Sequence, residues 1–269
     1  MSNSIRKYGY YLLSIGEILS GFRNPISIMK CFLGSKPAGF QLIETRSGYQ
    51  FYVRGKMDIW SVKEAVIDRF YEKYGFKIQK GWKIVDIGAG IGEFTVFASQ
   101  NTANGEIIAF EPFPESHSLL EKNNHLNGAE NTRAIQKAVS KETGQILLDL
   151  TDGEPLQFQS YEPSRNVSNR EIIRVQCLSL KDVLDDYQIG ICNLLKLDCE
   201  GAEYGILMYT SDEVIHRVER IVMEYHDVQG HHHSEISLFL EKKGFKVDVY
   251  QNPVHDHIGY LRAIQNNLL

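Results

Sequence analysis

Three features that would assign the chain to a particular class of protein are missing from its 269 residues. No apolar run approaches the length of a membrane-spanning helix, roughly 18 residues or more, so we expect no transmembrane segment. The four cysteines include no Cys-x-x-Cys pair, which offers no zinc site and is typical of a reducing compartment. A formal net charge of −5 gives no general case for nucleic-acid binding. We therefore expect a cytoplasmic protein that does not bind nucleic acid.

The first 36 residues differ from the rest in charge, with five basic side chains and one acidic side chain among aromatic and aliphatic positions. This pattern is typical of a helical cover on the following domain or of a mobile arm. An amphipathic helix that docks on a membrane or a partner is the alternative. Glu17 interrupts the apolar run that begins at Tyr10, so we expect no signal peptide. The pattern changes near residue 79, which predicts an N-terminal arm and hairpin/helix cover (residues 1–78) and a second domain (residues 79–269).

Residues 40–54 predict a β-hairpin, because two alternating apolar segments flank the turn sequence Arg46-Ser47-Gly48. Residues 59–74 predict one helix, since apolar side chains recur every three or four positions. Four aromatic or charged side chains are expected to border a ligand pocket as part of its cover: Tyr52, Arg54, Asp58 and Trp60. The alternative is that these four only pack or face solvent.

The most informative stretch is a glycine-rich segment between an apolar, β-branched strand at residues 82–87 and the start of a helix near residue 94. Its glycines alternate with other residues: Gly88, Gly90 and Gly92. A dinucleotide fingerprint requires Gly-x-Gly-x-x-Gly, but position 93 is a glutamate. Together with Asp86, Glu93 suits a ligand that carries positive charge and no phosphate, and S-adenosylmethionine meets both conditions. The alternative is that the glycines only permit close strand–helix packing.

A further acidic residue, Glu111, ends the next apolar strand, residues 106–110. Its carboxylate can accept hydrogen bonds from both hydroxyls of a ribose, which is the layout of a nucleoside-cofactor site at the carboxyl edge of an α/β sheet. We predict a cofactor-binding set that comprises Asp86, Gly88, Ala89, Gly90, Gly92, Glu93, Phe94, Glu111, Pro112 and Ala138.

Strand and helix patterns alternate from residue 84 onward. Strands are predicted at 84–87, 106–111, 133–139, 192–197 and 220–225, with an added pair at 146–150 and 172–178 and a terminal pair at 245–250 and 259–264; helices are predicted at about 92–100, 115–127, 180–187 and 236–243. This alternation predicts an α/β fold with a doubly wound, mostly parallel sheet, an antiparallel edge and an N-terminal hairpin/helical extension. The polar residues 151–170 are expected to form a loop or lid.

A second polar group lies at the end of the strand predicted at residues 192–197. Lys196, Asp198 and Glu200 are at or just past its carboxyl end, where such sheets bind ligands. Asp198 and Glu200 have the same parity, so an extended backbone would place both carboxylates on one side, where they could orient a hydroxyl or accept its proton. Alternatively, Glu200 only charges the start of the next helix, and Lys196 only pairs with the two carboxylates.

The following strand ends in Glu224 and His226, and its tip should neighbour Asp198. A histidine there could be a general base near neutral pH, or only a hydrogen-bonded structural residue. We predict a catalytic set of Asp198, Glu200, His226, Lys196 and Glu224. Asp198, Glu200 and Glu224 could also supply oxygen ligands to a divalent metal, which the sequence permits but does not require. Residues 231–233, three adjacent histidines, are expected to have no function because neighbouring side chains point in different directions.

Taken in order, these segments resemble the FkbM family of methyltransferases. The resemblance rests on residues 85–94, 110–114 and 195–203, supported by residues 52–60 with Glu64 and by residues 224–226. It covers about residues 40–264 and implies a class I (Rossmann-like) methyltransferase fold that uses S-adenosylmethionine. It also implies O-methylation of a hydroxyl on a sugar or a natural product. Residues 1–36 fall outside the resemblance.

Two other functions are open at this point. One is a non-catalytic S-adenosylmethionine-binding subunit that docks, or forms a homo-oligomer, through residues 1–36. The other is an NAD(P)-dependent oxidoreductase, against which the glycine spacing argues. The charged side chains at the strand ends favour an enzyme, since a site that only binds the cofactor would not require them.

Overall fold

Two helices and a β-hairpin form the first part of the chain in the computed structural model, which describes residues 3–34, 39–150, 159–160, 171–228, 230–252 and 254–269. These elements are α1 (Asn3–Gly21), α2 (Pro25–Phe32), β1 (Gln41–Glu44) and β2 (Gln50–Val53). β1 and β2 pair antiparallel, which confirms the predicted hairpin. Ile18, Phe22 and Ile28 are buried in the same core as Ile43 of the hairpin. The two helices therefore cover the rest of the fold, whereas docking through residues 1–36 stays a prediction.

The single helix predicted at residues 59–74 is wrong. α3 (Lys56–Val62) runs into a π-helix (Lys63–Ile67), and α4 (Phe70–Lys73) begins only after Arg69, whose φ of 54° is left-handed. The ammonium group of Lys63 is fully buried, 2.5 Å from the carboxylate of Asp68 and 2.6 Å from that of Glu17 in α1. The wider π-turn brings Asp68 back to Lys63, and its amide donates to the Lys63 carbonyl at 2.9 Å. An ion pair with a distant helix thus overrides the apolar periodicity.

The next elements alternate between strand and helix, as predicted: β3 (Lys83–Ile87), α5 (Glu93–Asn101), β4 (Glu106–Phe110), α6 (Pro114–Leu126) and β5 (Thr132–Ile135). The single strand predicted at residues 133–139 is instead two strands. β5 ends at Ile135, and β6 (Ala138–Ser140) joins a different sheet. A turn in which the Lys137 amide donates to the Ile135 carbonyl at 2.9 Å separates the two strands, because each pairs with a different neighbour.

The second sheet has four strands. Besides β6 it contains β7 (Gly144–Asp149), β8 (Gln159–Ser160) and β9 (Ile172–Ser179), in the order β6-β9-β7-β8. β7 and β9 pair antiparallel, which confirms the predicted added pair. The loop or lid predicted for residues 151–170 lies outside the described residues, except for β8.

The remaining elements complete the central sheet. They are α7 (Leu180–Asp186), β10 (Leu194–Leu197), α8 (Glu203–Met208), α9 (Asp212–Ile215), β11 (Arg220–His226), α10 (His233–Lys242), β12 (Phe245–Gln251), β13 (Ile258–Gln265) and a final 3₁₀ turn (Asn266–Leu268). The seven strands have the order β12-β13-β11-β10-β3-β4-β5. All neighbours are parallel except those of β13, which is antiparallel to β11 and β12. The predicted doubly wound, mostly parallel sheet is confirmed, with its reversed strand one position inside the edge.

This strand order determines where a ligand can bind. β4 and β5 extend from one side of β3, whereas β10 and β11 extend from the other, so the switch point lies between β3 and β10. Ligands of such sheets bind outside the carboxyl ends of the strands at this point. In the described part of the chain, no helix is both long enough and apolar enough to cross a bilayer.

Candidate active site

A cleft runs along the carboxyl ends of the strands on both sides of this switch point. Ten of the predicted site residues line it: Gly88, Gly90, Glu93, Glu111, Pro112, Ala138, Asp198, Glu200, Glu224 and His226. Five predicted residues do not line it: Asp86, Ala89, Gly92, Phe94 and Lys196. Those five are buried around the glycine segment, so any role of theirs is to shape that segment.

The turn after β3 depends on its glycines. Gly88, Gly90 and Gly92 have φ values of 74°, 55° and 91°, in the left-handed region that favours glycine. At Gly88 a Cβ atom would collide with the carbonyl oxygen of Asp198, because the turn presses against the end of β10. The turn and the second polar group are therefore in direct contact.

Glu111 connects this turn to the end of β4. One of its carboxylate oxygens accepts a hydrogen bond from the amide of Gly90 and the other from the amide of Phe113, each at 2.9 Å. Burial raises the pKa of Glu111 to about 7, although the two amide donors oppose this rise. Each oxygen keeps acceptor capacity for a ligand hydroxyl.

Lys196 and Asp86 support the turn from behind. The Lys196 ammonium lies 3.0 Å from a carboxylate oxygen of Asp86 and donates a hydrogen bond to the Gly88 carbonyl at 2.7 Å. Asp86 also accepts from the Thr95 hydroxyl at 2.6 Å. Burial alone would lower the pKa of Lys196, but nearby carboxylates, Asp86 first among them, raise it above its ordinary value. This geometry favours the alternative in which Lys196 pairs with a carboxylate, although its partner is Asp86.

Glu93 supplies a carboxylate at the start of α5, beside the turn. One of its oxygens accepts from the Ser61 hydroxyl at 2.5 Å, and the other is buried without a hydrogen-bond partner among the described residues. Burial raises the pKa of Glu93 to about 7. An unpartnered carboxylate oxygen in the wall of a cleft suits a ligand with a positive centre.

The far end of the cleft is formed by the polar residues after β10. Asp198 accepts a hydrogen bond from the Tyr71 hydroxyl at 2.6 Å. Glu200 has a left-handed φ of 53°, so the backbone is no longer extended there and the parity argument for Asp198 and Glu200 is wrong. Glu200 still faces the cleft, because the left-handed turn directs it toward His226 of β11, at 3.6 Å.

His226 is held from the side opposite the cleft. Its Nδ1 lies 3.3 Å from a carboxylate oxygen of Glu203, which is fully buried and also accepts from the amide of Cys199 at 2.9 Å. Burial lowers the pKa of His226, but Glu203, Glu200 and Glu224 raise it well above its ordinary value. Burial also raises the pKa of Glu200 to about 7, with His226 opposing.

The cover contributes residues that the sequence analysis missed or misplaced. Of its four predicted pocket residues only Trp60 lines the cleft. Arg54 and Asp58 instead form a buried ion pair at 2.8 Å. Glu64 lines the cleft and accepts from the Trp60 indole at 2.8 Å, and burial raises its pKa to about 7. Its only signal in the sequence was its place in the family resemblance.

Two groups of side chains could hold a metal ion, judged over the described residues. Ligand atoms of Asp198, Glu224 and His226 lie within 4.8 Å of one another inside the cleft. Ligand atoms of Asp227, His232 and His233 also lie within 4.8 Å of one another, near the surface. The expectation that adjacent histidines point in different directions is therefore wrong for His232 and His233. In the second group, however, a carboxylate oxygen of Asp227 already accepts a hydrogen bond from the amide of His233 at 2.6 Å.

Comparison with known proteins finds relatives that share somewhat less than a third of their residues with this chain. "Methyltransferase 1" of Beauveria bassiana is 29% identical over 203 residues, covering 70% of this chain and 80% of that protein. "31-O-demethyl-FK506 methyltransferase FkbM" of Streptomyces tacrolimicus is 28% identical over 218 residues, covering 71% and 83%. A solved structure of an rRNA methylase from Streptococcus thermophilus has a TM-score of 0.48 at 13% identity, covering 73% of this chain and 94% of that one.

A doubly wound sheet with a glycine turn after β3 and an acidic residue after β4 defines an α/β protein that binds a nucleoside cofactor. The family described as the methyltransferase FkbM domain matches residues 86–247, which is more than half of the chain. The chain belongs to the FkbM family and is an S-adenosylmethionine-dependent methyltransferase.

Proposed function

We propose that the chain transfers the methyl group of S-adenosylmethionine to a hydroxyl of a sugar or a natural product. The observation that carries this proposal is one cleft with Glu111 and the glycine turn at one end and three polar side chains, Asp198, Glu200 and His226, at the other. A relative in the same family is by name an O-demethyl-FK506 methyltransferase, which supports a natural-product alcohol as acceptor.

In the cofactor half, Glu111 would accept hydrogen bonds from the ribose hydroxyls, since backbone amides hold both of its oxygens in place. The carboxylate oxygen of Glu93 that has no partner among the described residues would interact with the positively charged part of the cofactor. Pro112 and Ala138, which also line the cleft, would offer apolar surface to the adenine. Asp86 and Lys196 act indirectly, because they hold the glycine turn in shape.

In the acceptor half, Asp198, Glu200 and His226 orient the acceptor hydroxyl. Its oxygen attacks the methyl carbon in line with the sulfur, the C–O bond forms, and the C–S bond breaks with its electrons going to sulfur. Alignment of these atoms supplies much of the rate, and a carboxylate or the histidine takes the hydroxyl proton as the C–O bond forms. The products are a methyl ether and S-adenosylhomocysteine.

The test is turnover of methyl-labelled S-adenosylmethionine by the purified chain with a pool of sugars and natural-product alcohols. Each acceptor that takes label is compared with its matched deoxy analogue, which lacks the hydroxyl. We expect label in a methyl ether and none in the deoxy analogue. Label on nitrogen or carbon would contradict O-methylation. Tight cofactor binding with no turnover on any acceptor would favour the non-catalytic subunit, and preferential NAD(P) binding would favour the oxidoreductase.

A further inference from the structure

We propose that Asp198, Glu224 and His226 form a binding site for a divalent cation in the acceptor half of the cleft. One ligand atom from each lies within 4.8 Å of the others, a spacing that a single ion can bridge. The geometry follows from the sheet, since Leu197 pairs with Met223, Asp198 directly follows β10, and Glu224 is the next residue of β11. Two carboxylates with one imidazole suit a cation of the Mn²⁺ kind, which accepts both oxygen and nitrogen ligands.

The orientation of His226 fits a metal ligand. Glu203 lies 3.3 Å from Nδ1, whereas Nε2 is directed toward the cleft, 3.6 Å from the carboxylate of Glu200. Glu203 cannot easily turn away, because it is fully buried and bonded to the amide of Cys199 at 2.9 Å. Metal-bound histidines usually donate their other N–H to a carboxylate in this way, which fixes the ring and raises its basicity.

The charges at this end of the cleft also call for a cation. Four carboxylates face it: Glu64, Asp198, Glu200 and Glu224. His226 faces them from β11, whereas the ammonium of Lys196 is directed behind the turn, in an ion pair with Asp86 and a hydrogen bond to the Gly88 carbonyl. Glu224 forms no hydrogen bond among the described residues, and it lines the same part of the cleft as the carboxylates of Asp198 and Glu64, so that like charges lie close together. A bound cation would offset this like-charge repulsion.

The hydroxyl of Tyr260, which has no hydrogen-bond partner among the described residues, is a second and independent indication of a ligand. Tyr260 is 1% exposed. It stands opposite Glu224 in the pairing of β11 with β13, so both side chains are on the same face of the sheet. Stacking on Tyr74, with ring centroids 4.6 Å apart, fixes the ring. A water bound to the cation would satisfy this hydroxyl.

The catalytic value of the cation rests on the proposed O-methylation, whereas its binding does not. A cation between Asp198 and Glu224 could coordinate the acceptor hydroxyl and lower its pKa, which is the usual contribution of a metal to an alcohol nucleophile. The group of Asp227, His232 and His233 offers a matched comparison, because it has similar ligand atoms at a similar spacing outside the cleft.

The experiment is a titration of the metal-free, full-length chain with Mn²⁺, following the free ion by electron paramagnetic resonance without cofactor or acceptor. We expect one Mn²⁺ per chain, with affinity at least about tenfold weaker in Glu224→Gln and in Asp198→Asn, since each variant loses a charged ligand. The control His232→Asn, which retains a side chain able to cap α10, should bind as tightly as the wild type. Thermal melts will show that each variant is folded, and Glu224→Gln removes no hydrogen bond.

Absence of bound Mn²⁺ at millimolar concentration would overturn the proposal. So would equal affinity in Glu224→Gln, or loss of binding in His232→Asn. Failure of the proposed function is distinguishable from these results. Mn²⁺ binding with no methylation of any hydroxyl would leave the site standing and refute O-methylation. Full methylation of a hydroxyl in the presence of chelator, with no Mn²⁺ bound, would refute the cation site and leave O-methylation standing.

Discussion

Lys196 and Asp86 form an ion pair of 3.0 Å inside the sheet, and the same ammonium group donates to the Gly88 carbonyl at 2.7 Å. Both side chains are almost completely buried, at 1% and 0% exposure. The pair joins β10, which leads into the acceptor half of the cleft, to the turn that begins the cofactor half. This contact therefore fixes the position of the two halves of the cleft relative to each other, although neither Lys196 nor Asp86 lines the cleft.

Lys196→Met should destabilise the fold, because it leaves the Asp86 carboxylate buried without its ammonium partner. Removal of one partner of a buried ion pair costs about 3–5 kcal/mol, so we expect a loss of that size in the free energy of unfolding, measured in urea. The control is Lys181→Met, which breaks a solvent-exposed pair with Asp185 on α7 and should change the free energy of unfolding far less. Equal stability of the two variants would contradict the supporting role of Lys196.

The buried carboxyl groups of Glu93 and Glu111 should make the protein more stable at mildly acidic pH than at neutral pH. Burial raises the pKa of Glu93 and Glu111 from 4.5 to about 7. Their stabilising contribution is thus fully present below the unfolded value and is lost as the pH rises through the folded value. Melting temperatures should fall between about pH 4.5 and pH 7, and Glu93→Gln should reduce this slope. A melting temperature that rises over this range in the wild type, or an unchanged slope in the variant, would show that these carboxylates do not titrate as described.

Asp198→Asn and His226→Ala should each lower turnover by roughly 10²–10⁴, the range for loss of acid–base catalysis. The affinity for S-adenosylmethionine should change much less, because Asp198 meets the glycine turn through its backbone carbonyl and its side chain bonds instead to Tyr71, while His226 pairs with Glu203 and Glu200. His231→Ala is the control, since this exposed histidine lies outside the cleft. Steady-state kinetics with calorimetry separates the two effects. Near-wild-type turnover in both variants would exclude the proposed acceptor site.

The N-terminal helices should contribute to stability, although the composition of residues 1–36 is also typical of a mobile arm. Phe22 is fully buried against the cover, so Phe22→Ala should cost about 3–5 kcal/mol in the free energy of unfolding. Leu13 lies on α1, which ends just before Phe22, and is 70% exposed, so Leu13→Ala should change stability by less than about 0.5 kcal/mol. Similar values for both variants would mean that the helix does not pack as described.

The parts of the fold that the sequence predicted depend on local signals. Alternating apolar runs located most strands, and glycines at positions that need a left-handed φ located the turn after β3. Glu111 was found for the same reason, since it directly follows an apolar strand. Such features are specified within about ten residues of chain and need no knowledge of distant partners.

The features that the sequence missed depend on contacts between distant residues. Lys63 adopts a π-turn because Glu17 of α1 pairs with it, and Lys196 is directed behind the turn because β10 lies beside β3. Glu200 leaves the extended conformation although its neighbours suggest a strand end. Glu64 reaches the cleft only through the packing of the cover. Periodicity along the chain contains no information about these partners.

Calorimetric titration of S-adenosylmethionine into the wild type, Glu111→Ala and Glu115→Ala tests the central claim most directly. Glu115→Ala removes the same charge from an exposed position in the first turn of α6, so it controls for net charge. Loss of charge-assisted hydrogen bonds worth about 1.5–3 kcal/mol each should weaken binding at least about tenfold in Glu111→Ala, with the fold intact by circular dichroism. Glu115→Ala should bind like the wild type. Unchanged affinity in a folded Glu111→Ala would contradict the assignment of this cleft to the cofactor.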